Sequence, residues 1–407
     1  MLQPTRTLGA LPTTNASARE QEDRWQVPTY SKWPIALAEG RGSYVFDVEG
    51  RRFLDLYGGH CVALAGHCHP RLVAALREQA GRLVFYSNVV YSDIRALAAE
   101  RLATLAPKGL QRVFLCNSGT ESNETALKIA RKATGRMQVV SLVDGFHGRT
   151  LGALGATGMP KYRDAAYPIP GQHAYVPYGD LAATQAAVGA GAACVILEPI
   201  PSMGGIRMAP PEYFRGLREL CTRTGTLLVF DEVQTGFGRT GTTFFGENVG
   251  VTPDLITGAK GVAGGFPAAV VFVREDLAAR MKLGEQGTTF GGGPLACAAI
   301  AATAGIVRDE DLPGRARRTG AALAERLGAV AGVRSVSGLG LIRGVNLDRP
   351  AKPVIQALFD AGILVGSCEA DPHQIRLLPP LTLTLEEAEP FVQALARALA
   401  VPATAAV

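Results

Sequence analysis

Between residues 113 and 273 the chain repeats one alternation. Short apolar runs stand at 113–116, 139–142, 194–197, 227–230, 255–257 and 269–273, and helix-period segments at 120–134, 181–188 and 211–224 are set among them. Runs that are apolar on both faces belong to strands buried on both sides, and parallel strands need long crossovers, which the helical segments supply. The pattern therefore predicts an α/β domain built on a largely parallel sheet covered by helices.

The flanks read differently. Short strand-like pieces occupy 25–56, and helix-period patterns dominate 69–106. From about residue 311 a helix to 330 precedes strand-like pieces at 333–336 and 341–347, a helix at 353–361, short strands near 363 and 375, and a last helix at 385–399. Four parts follow: an arm at 1–24, expected to be mobile; a segment at 25–65 packing with the small domain; a large domain at 66–310; and a small α+β domain at 311–407.

Composition excludes several classes. A net charge of +5, from 41 basic and 36 acidic residues in 407, is too mild for a nucleic-acid partner. No run of about 18 consecutive apolar residues is present, so no membrane span is expected. The first 20 residues carry no compact apolar stretch of the signal-peptide kind. Seven cysteines without a C-x-x-C pair read as free thiols in a reducing cytosol, and a cytoplasmic protein is expected. Gly66-His67-Cys68-His69-Pro70 has metal-binding residue types, but adjacent ligands do not close a tetrahedron and no second cluster stands at zinc spacing. It reads as a structural turn, and no metal is expected.

In such a sheet, functional side chains belong at the carboxyl ends of the strands. After 113–116 comes Asn117-Ser118-Gly119-Thr120-Glu121, which is either an ordinary capped helix start or a seat for a phosphate. After 139–142 comes Asp144-Gly145-Phe146-His147-Gly148-Arg149-Thr150, either a plain glycine-rich loop or one in which Phe146 stacks on a flat ring and Arg149 grips a carboxylate. The run 227–230 passes without a break into Asp231 and Glu232, which are costly to bury unless something opposite needs them. In Thr257-Gly258-Ala259-Lys260-Gly261, Lys260 is either a surface lysine or a partly desolvated nucleophile. Pyridoxal 5'-phosphate needs all four features together: a helix end for its phosphate, an aromatic face for its ring, a lysine for its aldehyde and a carboxylate for its pyridine nitrogen.

These motifs, with Asp231-Glu232-Val233-Gln234-Thr235-Gly236-Phe237-Gly238-Arg239-Thr240-Gly241, Thr289-Phe290-Gly291-Gly292 and Arg376-Leu377-Leu378-Pro379-Pro380-Leu381, resemble the class III aminotransferases, above all the acetylornithine and ornithine branch. The resemblance runs from about residue 34 to the last helix. It implies the aspartate aminotransferase type of fold, fold type I, and exchange of an amino group between an amino acid and a 2-oxo acid such as 2-oxoglutarate. By resemblance, Gly119 and Thr120 hold the phosphate, Phe146 and Val233 sandwich the ring, and Gln234 reaches its hydroxyl. Lys260 and Asp231 are the catalytic pair. Thr289 completes the phosphate site of a neighbouring subunit, which implies a homodimer with shared active sites. Arg149 binds a carboxylate at one end of the substrate and Arg376 the α-carboxylate.

Departures from the branch are local. It commonly reads Glu-Pro-Ile-Gln-Gly-Glu-Gly-Gly where this chain has Glu198-Pro199-Ile200-Pro201-Ser202-Met203-Gly204-Gly205. Met203 replaces the glutamate thought to pair with the α-carboxylate arginine. Amines whose carboxylate reaches Arg376, notably α-amino acids, are therefore expected to be preferred over acetylornithine or ornithine at the ω position. His60 stands where isoleucine is common and either lines an altered pocket or packs as a turn histidine; Gly293 stands where asparagine is usual. Two other readings share the motifs: a racemase or decarboxylase of α-amino acids on the same fold, and a non-catalytic binding protein.

Overall fold

A computed structural model describes residues 9–163, 169 and 171–401, so the first eight residues of the expected arm and the last six of the expected small domain lie outside it. At its centre is a seven-stranded sheet in the order Arg112–Cys116, Ala269–Val273, Leu255–Gly258, Leu227–Asp231, Cys194–Leu197, Val139–Leu142, His173–Val176. All neighbours are parallel except that Ala269–Val273 runs against both of its own. Period-two alternation sends one set of side chains to each face. Leu227 and Val229 pack with Ala126, Leu127 and Ile129 of the helix Gly119–Thr134. Leu228 and Phe230 pack on the other face with Phe214 and Leu217 of Pro211–Thr224 and with the helix Pro294–Asp309. Asp231 has the parity of Leu227 and Val229, so its carboxylate emerges under the Gly119–Thr134 helix.

That helix starts on a capping box: Ser118 Oγ accepts the Glu121 N–H, and the Glu121 carboxylate accepts the Ser118 N–H. It ends on Gly135 at φ 68°, the left-handed C-cap that glycine adopts without strain.

Two smaller sheets flank the large one. Val333–Leu339, Ile342–Leu347, Gln374–Leu377 and Gly366–Ser367 form one. Leu37–Arg41, Tyr44–Asp47 and Arg52–Asp55 form the other, which is completed by the parallel strand Ile363–Leu364 from the C-terminal part of the chain. Residues 15–24, read from sequence as part of a mobile arm, instead belong to a helix, Asn15–Trp25. Thr14 and Ser17 cap it, and the Asn15 side chain ties it to Asp47 at 3.0 Å and to the Ala36 N–H at 2.7 Å. In the Gly66–Pro70 stretch, His67 Nε2 lies 2.8 Å from Asp55, and His69 caps the helix Pro70–Arg82. Among the described residues no group of three or more His, Cys, Asp or Glu could hold a metal ion, and no helix is long and apolar enough to cross a membrane.

Candidate active site

A cleft of about 870 Å³ opens where the large-sheet strand Leu227–Asp231 ends and the helix Gly119–Thr134 begins. Gly119, Thr120, Phe146, Arg149, Val233 and Gln234 line it, as do Asp231, Lys260, Met203 and His60. Of the residues expected from sequence, only Thr289 and Arg376 are not among its lining.

Asp231, 3% exposed, is fixed by three donors. Its Oδ2 accepts from Asn123 Nδ2 at 2.8 Å and faces His147 Nδ1 at 2.7 Å, while its Oδ1 accepts the Val233 N–H at 3.1 Å. Asn123 lies one turn after Gly119 on the covering helix, and its Oδ1 accepts from the Thr257 hydroxyl at 2.7 Å. Glu198, at the end of the neighbouring strand Cys194–Leu197, is also buried and accepts the Phe146 N–H at 2.8 Å. Burial first, and then the Asp231 charge, push its carboxyl up to about 7. Asn123, His147 and Glu198 were not assigned from sequence, although Glu198 stands at the carboxyl end of its strand as Asp231 does at the end of its own.

Lys260 opens the short 3₁₀ turn Lys260–Ala263, one residue after the strand Leu255–Gly258. Its φ of 40° is an uncommon left-handed conformation for a lysine, of the kind that clusters at functional sites. Burial drives its amine pKa down, against the pull of Cys61, Asp231 and Glu198 and with the push of Arg376. Arg149 is exposed at the cleft, its guanidinium 5.9 Å from the Phe146 ring centre and 4.8 Å from that of Tyr162, with no carboxylate partner among the described residues.

Arg376 is 4% exposed and lies behind Tyr57. It donates to Ser367 O at 2.6 Å, Ser202 Oγ at 3.0 Å and Tyr57 Oη at 3.3 Å. No carboxylate pairs with it among the described residues. Tyr57 and His60 line the cleft on this side, their side chains hydrogen-bonded to each other. Thr289 is exposed, next to Thr288, whose hydroxyl accepts from the cleft residue Asn117 at 3.0 Å.

The cleft fits pyridoxal phosphate on its own features. The first-turn N–H groups of Gly119 and Thr120 have no intrahelical acceptor and could hold a phosphate. Gly148, at φ 133°, must be glycine, because a Cβ there would sit 2.3 Å from Thr120 Oγ1 and push the Phe146 loop off the helix start. Gln234 Oε1 is buried without a partner, an acceptor left for a ligand hydroxyl.

Residues 26–399 match the family described as aminotransferase class-III. An acetylornithine aminotransferase of Methanopyrus kandleri is 45% identical over 386 residues, covering 94% of this chain and 98% of its own. A [LysW]-aminoadipate semialdehyde transaminase of Deinococcus radiodurans is 41% identical over 383 residues, covering 93% of this chain and 89% of its own. Among solved structures, the ornithine aminotransferase of Toxoplasma gondii superposes with a TM-score of 0.89 at 30% identity, over 95% of both chains. These likenesses favour amino-group transfer over racemisation, decarboxylation or a purely binding role. The chain belongs to the class III aminotransferases, fold-type-I enzymes dependent on pyridoxal phosphate.

Proposed function

We propose that the enzyme moves an amino group between 2-oxoglutarate or a similar 2-oxo acid and an amine whose carboxylate is drawn to Arg376. When bound, pyridoxal phosphate supplies an aldehyde that condenses with amines and a ring that takes up electron density. Lys260 holds the cofactor and then carries the proton to and from the substrate carbon, a task suited to an amine whose pKa burial has lowered. Asp231 keeps the ring nitrogen protonated, and Asn123 and His147 keep Asp231 in place. Gly119 and Thr120 bind the phosphate, Phe146 and Val233 hold the ring between them, Gln234 meets its hydroxyl, and Arg149 takes a carboxylate at the cleft mouth.

The observation that carries the substrate class is the buried Arg376 guanidinium with only neutral partners: Tyr57, Ser202 and the Ser367 carbonyl. Met203 lines the cleft and cannot mask that charge. A substrate that brings no carboxylate leaves it uncompensated. The names of the relatives favour a second reading, in which acetylornithine is the donor. A donor panel against 2-oxoglutarate separates them: α-amino acids other than glutamate should exceed acetylornithine, and the reverse order removes the first reading.

We also infer a cytoplasmic homodimer. All seven cysteines are free thiols, as in a reducing compartment. Leu83, Val84, Phe85, Tyr86, Val89 and Tyr91 form an exposed apolar run. It continues into Phe290, whose ring lies 5.1 Å from that of Phe85 and which follows Thr289. A second copy covering this surface would bring Thr289 to its partner's cleft. Light scattering that shows a fully active monomer would remove this reading.

A further inference from the structure

We propose that His60 presents a neutral Nε2–H to the cleft, and that this group is the hydrogen-bond donor meeting the substrate carboxylate at the Arg376 end. The inference rests on the carboxylate-bearing substrate class given above.

The backbone that places His60 is unusual. Gly58, Gly59, His60 and Cys61 have φ of 58°, 55°, 67° and 68°, a single left-handed turn closed by Cys61 N–H to Tyr57 O at 2.9 Å and Val62 N–H to Gly58 O at 2.8 Å. Histidine and cysteine enter this region at a cost, and such strain persists only where surrounding structure enforces it. Asp55 enforces it. Its carboxylate accepts the N–H groups of Tyr57 at 2.9 Å, Gly58 at 2.8 Å and Gly59 at 3.1 Å, and is itself held by His67 Nε2 at 2.8 Å.

The tautomer in this proposal follows from where the Tyr57 proton is assigned. Arg376 has only donors, so the Tyr57 oxygen accepts from it. Tyr57 has one proton to give. Burial, ahead of the opposing pull of Arg376, raises the pKa of its phenol and keeps that proton on. Its one other hydrogen-bond partner among the described residues is His60 Nδ1, and in this proposal the proton is assigned to that bond. A neutral imidazole that accepts at Nδ1 carries its proton on Nε2, and this atom has no partner among the described residues. Burial first, then the charges of Lys260, Arg376 and Arg149, push the His60 pKa down to about 3, so the ring stays neutral. Cationic neighbours make an anionic acceptor the fitting guest. Because Arg376 lies behind Tyr57, its charge draws the carboxylate, and His60 is the donor at the cleft surface.

The test compares kcat/KM for glutamate with that for 1-butylamine, which has no carboxylate. In His60→Leu the glutamate-to-butylamine ratio should fall about tenfold, the size of one hydrogen bond to a charged acceptor. His60→Gln, which keeps an N–H donor, should recover most of it. Two-bond ¹H–¹⁵N spectra of the protein labelled at its six histidines, with His60 identified through the Gln variant, should show the neutral Nε2-protonated ring at pH 7. An Nδ1-protonated or cationic His60, or a ratio retained in His60→Leu, overturns the inference. A native enzyme without preference for glutamate overturns the reading of Arg376, and the inference with it.

Discussion

Asp231→Asn is the sharpest single perturbation of this site, because the exchange keeps the shape and removes the charge. The carboxylate is 3% exposed and accepts three hydrogen bonds: from Asn123 at 2.8 Å, His147 at 2.7 Å and Val233 N–H at 3.1 Å. An amide has one oxygen. If that oxygen keeps Asn123 and His147, the NH₂ group faces the Val233 N–H, and one partly buried donor loses its acceptor at a cost of about 1 kcal/mol in stability. The larger effect is on turnover. An opposite-charge pair in a protein site of intermediate polarity is worth about 4 kcal/mol, which corresponds to about a thousandfold in rate when the charge is needed only as the reaction proceeds. The variant should therefore bind the cofactor in full, melt a few degrees lower, and lose about three orders of magnitude in kcat. Steady-state assays, cofactor stoichiometry and a melting curve on the same preparation check this. A variant with full cofactor and turnover within tenfold of the native enzyme would show that Asp231 does not act through charge.

Lys260→Ala removes the only lysine lining the cleft among the described residues and should abolish multiple turnover; borohydride reduction with peptide mapping of the native enzyme should label Lys260, and a label on another lysine refutes the assignment. Met203→Glu places a carboxylate among the cleft-lining side chains, on the Arg376 side, and should shift preference toward ω-amines such as acetylornithine, by about 2 kcal/mol or more if the pair is desolvated; an unchanged donor order in the panel contradicts this. Glu232 is fully buried with Oε1 unpartnered, and burial pushes its carboxyl from 4.5 up to about 8. The folded state then binds the proton more tightly than the unfolded chain, so stability falls as pH rises from about 4.5 to about 8. Glu232→Gln, neutral throughout, should flatten the decline in melting temperature across that window, and parallel profiles for the two proteins would refute it.

The large sheet was legible because its strands are buried on both faces. Leu227–Asp231, Cys194–Leu197 and Ala269–Val273 are apolar runs with no competing period. What escaped has equally physical causes. Pro294–Asp309 is apolar nearly all round because it is buried nearly all round, so it carries no amphipathic signal. Asn15–Trp25 has no buried residue and hence no apolar period, and its capping box uses Ser17 where glutamate is the usual sign. The left-handed turn at His60 was hinted at only by Gly58-Gly59, since nothing in sequence requires a histidine and a cysteine to continue it.

The partners of Arg376 show where sequence reasoning stops and what the fold adds. Met203 and His60 read as two separate departures from the family pattern, and the loss of a glutamate read as leaving Arg376 bare. In the folded chain the segments that carry both departures reach one guanidinium, through Ser202 and through Tyr57. Ser202, beside Met203, accepts from Arg376 Nη1, and His60 holds the Tyr57 hydroxyl that accepts from Nη2. A charged mask can swing away to admit a substrate carboxylate, whereas these neutral oxygens satisfy hydrogen-bonding capacity without cancelling charge. The cationic field at this end of the cleft therefore persists whichever substrate is bound. That is the physical reason to expect one consistent demand for a carboxylate, where a switchable glutamate would let the demand alternate between half-reactions.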